Sequence, residues 1–173
     1  GFGSYSADLL TLFNPSHFSR LLPALPMGPR QYEGMGFLGV GGLIAFVIAG
    51  VLVARQRPRL RRGTWAILAA AVLLGVYALS AEVTFAGYAV VSLRWLYEPL
   101  MPVLEPFRSS GRFIWPLHYL ALVFGVWGVT RVFGSARQAA GTTLLALAVA
   151  VQAADAARDS SRAAVKIRCR SRR

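Results

Sequence analysis

The sequence predicts an all-α, polytopic membrane protein with about four transmembrane helices and two outer loop segments carrying short interfacial helices. Three observations predict it. The chain is 55% hydrophobic and only 15% charged, against roughly 25% charged residues in a soluble domain. Its apolar residues fall in long blocks, at 35–54, 65–81, 114–133 and 139–157. Its arginines gather around the ends of those blocks rather than inside them.

Residues 1–34 read as an outer loop. The short apolar stretch 9–13 follows Ser6, a candidate N-cap, and is stopped by Asn14-Pro15, so a short surface helix is expected there. Pro23, Pro26 and Pro29 then exclude regular structure. The membrane domain is expected over 35–157. A helix rises about 1.5 Å per residue and the hydrocarbon layer is about 30 Å thick, so about 20 apolar residues cross it. In lipid every backbone polar group needs a partner within the protein, which favours helices for such runs. Helices apolar on every side could otherwise be buried only by a larger protein, which 173 residues do not supply. The fourth block is the weakest, interrupted by Thr142, Thr143, Gln152 and Asp155.

Between the second and third blocks, residues 83–95 are apolar up to Arg94, which predicts an interfacial helix or a re-entrant segment. Pro99, Pro102 and Pro106 follow and bias the backbone before each towards an extended form. Residues 158–173 form an arginine-rich tail, expected to be disordered.

The net charge is +12, and its placement orients the chain. Arg55, Arg57, Arg59, Arg61 and Arg62 crowd the first short connection, and Arg131 and Arg137 flank the last. Short loops rich in Lys and Arg stay on the cytoplasmic side. Loops 55–64 and 134–138 are therefore expected in the cytoplasm, with 1–34 and 82–113 outside. The tail then falls outside against the rule, so either the fourth block does not cross or, the favoured reading, the tail is not native to a full-length protein. The chain is accordingly expected to be a piece of a longer one. Arginines beside apolar spans suit anionic lipid headgroups, so the expected partner is the lipid bilayer and not nucleic acid.

Candidate chemistry is sparse. Cys169 is the single cysteine, so neither an intrachain disulfide nor a Cys/His metal site is expected, and no cofactor is evident. The run from Gly34 to Gly39 spells G-x-G-x-x-G, but a dinucleotide site needs a preceding strand and a soluble helix after it. Close packing at the mouth of the first span is the better reading. Small residues four apart (Gly41, Ala45 and Ala49; Ala71 and Gly75; Ala121 and Gly125) suit close helix approach in lipid. Arg108 and Arg112 flank the turn before the third block and would share a face if that turn is helical. They are candidates for a phosphate or lipid head, or else snorkel or pair with Glu98 or Glu105. His118 lies one turn into that block, either functional or hydrogen-bonded at the interface. Glu33 stands at the outer mouth of the first span, facing an outer arginine or a polar substrate. No nucleophile motif, phosphate loop or paired-carboxylate arrangement is evident, and no catalytic residue is expected from these patterns.

Four fragments resemble a known family: GFGSYSADLLTLFNP, YEGMGFLGVG, FRSSGRFIWPLHY and VQAAD. In that order and spacing they are similar to the C-terminal half of an uncharacterised family of large bacterial inner-membrane proteins, a domain of unknown function that looks like the GT-C class of glycosyltransferases. The resemblance implies an outer-face enzyme using a polyprenyl-phosphate-linked sugar. That class carries its acidic catalytic motif in a first outer loop lacking here, so no catalytic residue carries over and Asp8 is no substitute. The expected function is the membrane portion of such a transferase, inactive alone. The alternatives are a multi-pass scaffold or assembly subunit and, third, a transporter, disfavoured because no charge sits mid-span.

Overall fold

The computed structural model describes residues 5–28, 30–104, 106, 109–133 and 138–156. The protein is mostly helical, 63% helix and 6% strand. Four long helices form the shaft: α1 (Val40–Gln56), α2 (Arg62–Leu79), α5 (Trp115–Phe133) and α6 (Gln138–Ala156). Two single-turn helices, α3 (Arg94–Tyr97) and α4 (Met101–Leu104), lie between α2 and α5. Among the described residues, three segments are long and apolar enough to cross a membrane: Arg62–Leu79, Gly111–Arg131 and Gln138–Ala156. At 17 residues, α1 is apolar but shorter.

The helix ends follow from local chemistry. Residues 35–39 stay out of the first helix, which starts only at Val40. Gly39 has φ 78, and a Cβ there would run into the Gln152 side chain, so the chain can turn at this point only through glycine. At the other end Arg57 adopts a left-handed cap whose N–H donates to Val53 C=O (2.8 Å), and Pro58 prevents continuation. Pro116 falls in the first turn of α5, where a missing N–H is harmless.

The packing places small residues inside and large ones outside. The buried residues of α1 are Gly41, Ala45 and Ala49, and those of α2 are Ala71, Gly75 and Ala78. A Cβ on Gly125 of α5 would stand 3.2 Å from the Phe46 nitrogen, one on Gly128 would strike Ala49, and one on Gly41 would strike the Ala148 carbonyl of α6. Meanwhile Val47, Trp65, Leu73, Tyr119, Val123 and Val149 are exposed. Lipid tails are as apolar as leucine, so in a bilayer close backbone approach, rather than burial of large side chains, draws helices together. In water this arrangement would leave extended apolar faces wet.

The segments between α2 and α5 depart from the helical expectation. Glu82–Phe85 (β1) and Tyr88–Ser92 (β2) form an antiparallel hairpin, with a register shift between Val83 and Thr84. Ala86 and Gly87 both have positive φ (51 and 80), the signature of a two-residue turn matching strand twist. β-branched Val83, Thr84, Val90 and Val91 favour the extended backbone over an interfacial helix. Residues 9–13 likewise form successive turns rather than a surface helix. The Asp8 carboxylate accepts the Leu10 N–H (2.8 Å), an Asx-type bond that competes with a regular helix start.

Candidate functional site

The N-terminal segment knits together the ends of all four long helices. The Ala7 N–H donates to Ala78 C=O at the end of α2 (2.8 Å), and the Gly111 N–H donates to Tyr5 C=O ahead of α5 (2.7 Å). Leu9 N–H donates to Thr84 C=O of the hairpin (3.0 Å), and Leu38 N–H to Leu12 C=O (3.1 Å). Thr11 Oγ1 donates to Gly34 C=O and accepts from the Gly36 N–H (3.2 Å). The bundle therefore carries a polar cap at one end, while 57–61 connects α1 and α2 at the other.

Two buried carboxylates hold this cap. Asp8 is 4% exposed, and besides Leu10 it accepts the N–H groups of Ala86 (3.2 Å) and Gly87 (3.0 Å). Its role is to fix the hairpin turn. Asp155, 2% exposed, accepts through Oδ1 from Ser19 Oγ (2.8 Å), Arg20 N–H (2.7 Å) and Leu21 N–H (2.8 Å). It ties loop 19–21 to the end of α6. Neither spacing nor composition marks these two as ties between distant segments, because apart from Leu10 their partners lie far away in sequence.

The structure brings Glu33, Arg112 and Ser109 together and places His118 close by in the chain. Glu33 lies in the 3-10 turn Gln31–Gly34 and Arg112 in the 3-10 turn Gly111–Ile114, and these two turns pack on each other. Arg112 Nε donates to Glu33 Oε2 (3.1 Å), which also accepts from Ser109 Oγ (2.5 Å). The Glu33 side chain is 19% exposed and that of Arg112 is 64% exposed. Arg112 thus pairs with Glu33 and not with Glu98, while Arg108 and Glu105 lie outside the described residues. The described helical turn begins at Gly111. Because Arg112 is bound through Nε, its terminal nitrogens stay available for bidentate contact with an anion.

Below this pair opens a groove of about 450 Å³ between the extended 35–39 segment and the facing ends of α5 and α6. Trp115, His118 and Tyr119 line one side, Gln152 and Ala156 another. Arg112 is three residues ahead of Trp115 and Glu33 two ahead of Met35, so both members of the ion pair precede groove-lining segments along the chain. His118 Nδ1 lies 2.7 Å from Gly36 C=O, and Gln152 Oε1 accepts the Gly41 N–H (3.1 Å). The G-x-G-x-x-G run is therefore part of the groove wall and part of the close-packed cap. Its Gly34 abuts Ala7, where an added Cβ would stand 2.6 Å from the Ala7 Cα. No group of three or more His, Cys, Asp or Glu placed to hold a metal occurs among the described residues.

Residues 1–157 match the family model described as "Domain of unknown function (DUF6311)". No curated protein and no solved structure matches the chain.

Proposed function

The chain belongs to the DUF6311 family, and we propose that it is the membrane-embedded donor-binding part of a GT-C-like glycosyltransferase, engaging a polyprenyl-phosphate-linked sugar at the outer face of a bacterial inner membrane. One observation carries this reading. Arg112 is held through Nε by Glu33 at the rim of the bundle, with its side chain largely exposed. In this reading a lipid-linked phosphate sits at that rim, with its tail among the helices. Arginine offers phosphate a planar pair of charge-assisted hydrogen bonds, which lysine does not.

In this reading α1 is the fourth span. Its 17 residues rise about 25 Å, within the range of short spans. The helices then alternate, with the cap outside. Arg55, Arg57, Arg59, Arg61 and Arg62 face the cytoplasm, where Lys/Arg-rich short loops are retained. The resemblance of the quoted fragments supports the transferase class. No catalytic residue is assigned, and Asp8 is occupied by the hairpin turn.

The test is the affinity of the purified chain, in phosphatidylcholine nanodiscs, for undecaprenyl phosphate. Arg112→Ala is expected to weaken binding about tenfold, the loss of one charge-assisted contact of roughly 1.5 kcal/mol. Arg112→Lys should recover only part of it. Equal affinity of wild type and Arg112→Ala would show a snorkelling arginine and remove the phosphate site, leaving a multi-pass scaffold.

A further inference from the structure

The groove below the ion pair has a chemistry of its own. None of its lining residues is an Asp, Glu, Lys or Arg. Its volume of about 450 Å³ falls within the ~300–1,000 Å³ usual for small-molecule sites. Its walls are mostly apolar and aromatic, with His118, Gln152 and the Tyr119 hydroxyl supplying polar groups.

The hydrogen-bonding state of His118 and Gln152 follows from their partners. A carbonyl oxygen only accepts, so His118 Nδ1, 2.7 Å from Gly36 C=O, carries a hydrogen. In the neutral ring Nε2 is then the acceptor, and no hydrogen bond occupies it among the described residues. A backbone N–H only donates, so the Gln152 atom facing Gly41 is its oxygen. The Gln152 NH₂ is a donor without a hydrogen-bond partner among the described residues. The groove thus offers an acceptor on the neutral His118 ring and a donor on Gln152, both pre-oriented by bonds to backbone, beside the Tyr119 hydroxyl, which can do either. An alcohol, which donates one hydrogen bond and accepts others, matches such a set, whereas no Arg or Lys lines the groove to neutralise a phosphate and no Asp or Glu to neutralise an ammonium.

Beneath the groove, Tyr119, Val123 and Val126 follow at helical spacing on α5, all exposed. They continue the apolar wall away from Trp115 along one helix face. We propose that the groove is a second lipid site, holding the uncharged, hydroxyl-bearing headgroup of a lipid. In it His118 Nε2 accepts the hydroxyl hydrogen, the Gln152 amide donates to the hydroxyl oxygen, and the acyl chains run down the Tyr119–Val123–Val126 face. The site is independent of the phosphate contact at Arg112.

The test uses the full chain in phosphatidylcholine nanodiscs and a dioleoylglycerol analogue bearing a photoreactive group on one acyl chain. Cross-links are expected on α5 near 119–126. Unlabelled dioleoylglycerol should compete. Its 3-O-methyl ether, which cannot donate, should compete about three- to tenfold more weakly, the worth of one neutral hydrogen bond. Dioleoylphosphatidic acid should compete no better than the ether. Gln152→Leu and His118→Phe should each weaken labelling by a similar factor. Should either variant fold poorly, the ether comparison on the wild-type protein still decides the matter. Equal competition by the alcohol and its ether, or stronger competition by phosphatidic acid, would overturn the proposal. Because these probes contain no polyprenyl phosphate, failure here is distinct from failure of the Arg112 site.

Discussion

The shaft and the cap are built on opposite logics. In the shaft, Gly41, Ala45, Ala49, Gly125 and Gly128 bring helix backbones together, and the bulky side chains point away from the bundle. In the cap, backbone and carboxylate hydrogen bonds join segments far apart in sequence: Ala7 with Ala78, Tyr5 with Gly111, Asp8 with Gly87. A helix in lipid satisfies its own backbone, so the shaft needs only close approach. The cap has turns and extended chain whose buried polar groups must each find a partner. The difference implies that changes on the shaft exterior are tolerated while small changes in the cap are not.

The largest expected effect is in the cap. Gly111→Ala would place a Cβ 2.8 Å from the Gly34 Cα and 2.9 Å from the Tyr5 oxygen. Backbone stands on both sides, so no side chain can swing away, and the loss should be about 3 kcal/mol or more. Gly50→Ala, with nothing within 4 Å of the new Cβ, should leave stability unchanged or raise it by up to about 1 kcal/mol. Thermal unfolding in detergent measures both, and similar midpoints for the two variants would erase the distinction between cap and shaft.

A smaller effect is expected at Asp8. Asp8→Ala strips the acceptor from the Leu10, Ala86 and Gly87 N–H groups and should cost about 2–4 kcal/mol. Asp8→Asn keeps an acceptor oxygen and should lose less. Hydrogen exchange at 86–87 should rise sharply in Asp8→Ala while exchange in α5 stays slow. Unchanged protection of the hairpin turn would mean that the carboxylate does not hold it.

The smallest expected effect is on the shaft exterior. Leu73 is 69% exposed, so Leu73→Ala leaves no internal cavity and should change stability by less than about 1 kcal/mol in detergent. A loss of several kcal/mol would mean that this face is covered by protein rather than lipid.

The same contrast explains what was legible in the sequence. The four long helices announce themselves because composition and block length are local properties. The small-residue stripes are equally local, and they are the buried residues of α1 and α2. The hairpin is harder to see: the apolar run at 83–95 suits a helix until its β-branched residues and the Ala86-Gly87 turn are given weight. At the candidate site, Arg112 and Glu33 stand out individually, but their pairing is not readable, because it depends on two 3-10 turns 79 residues apart meeting in space. The bond from His118 to Gly36 depends on the same folding of 35–39 across α5. Asp8 and Asp155 carry no motif at all, since a carboxylate that accepts backbone N–H groups can be recognised only once the loops are placed.

The central claim is that the cap and the arginine loop lie on opposite sides of a bilayer, with the cap outside. Single-cysteine labelling of intact cells with a membrane-impermeant maleimide tests it directly, in a Cys169→Ser background. Ala24→Cys in the cap should be labelled in intact cells, and Arg59→Cys only after the membrane is opened. Labelling of Arg59→Cys in intact cells with Ala24→Cys protected would reverse the orientation, and labelling of both would contradict the membrane arrangement altogether.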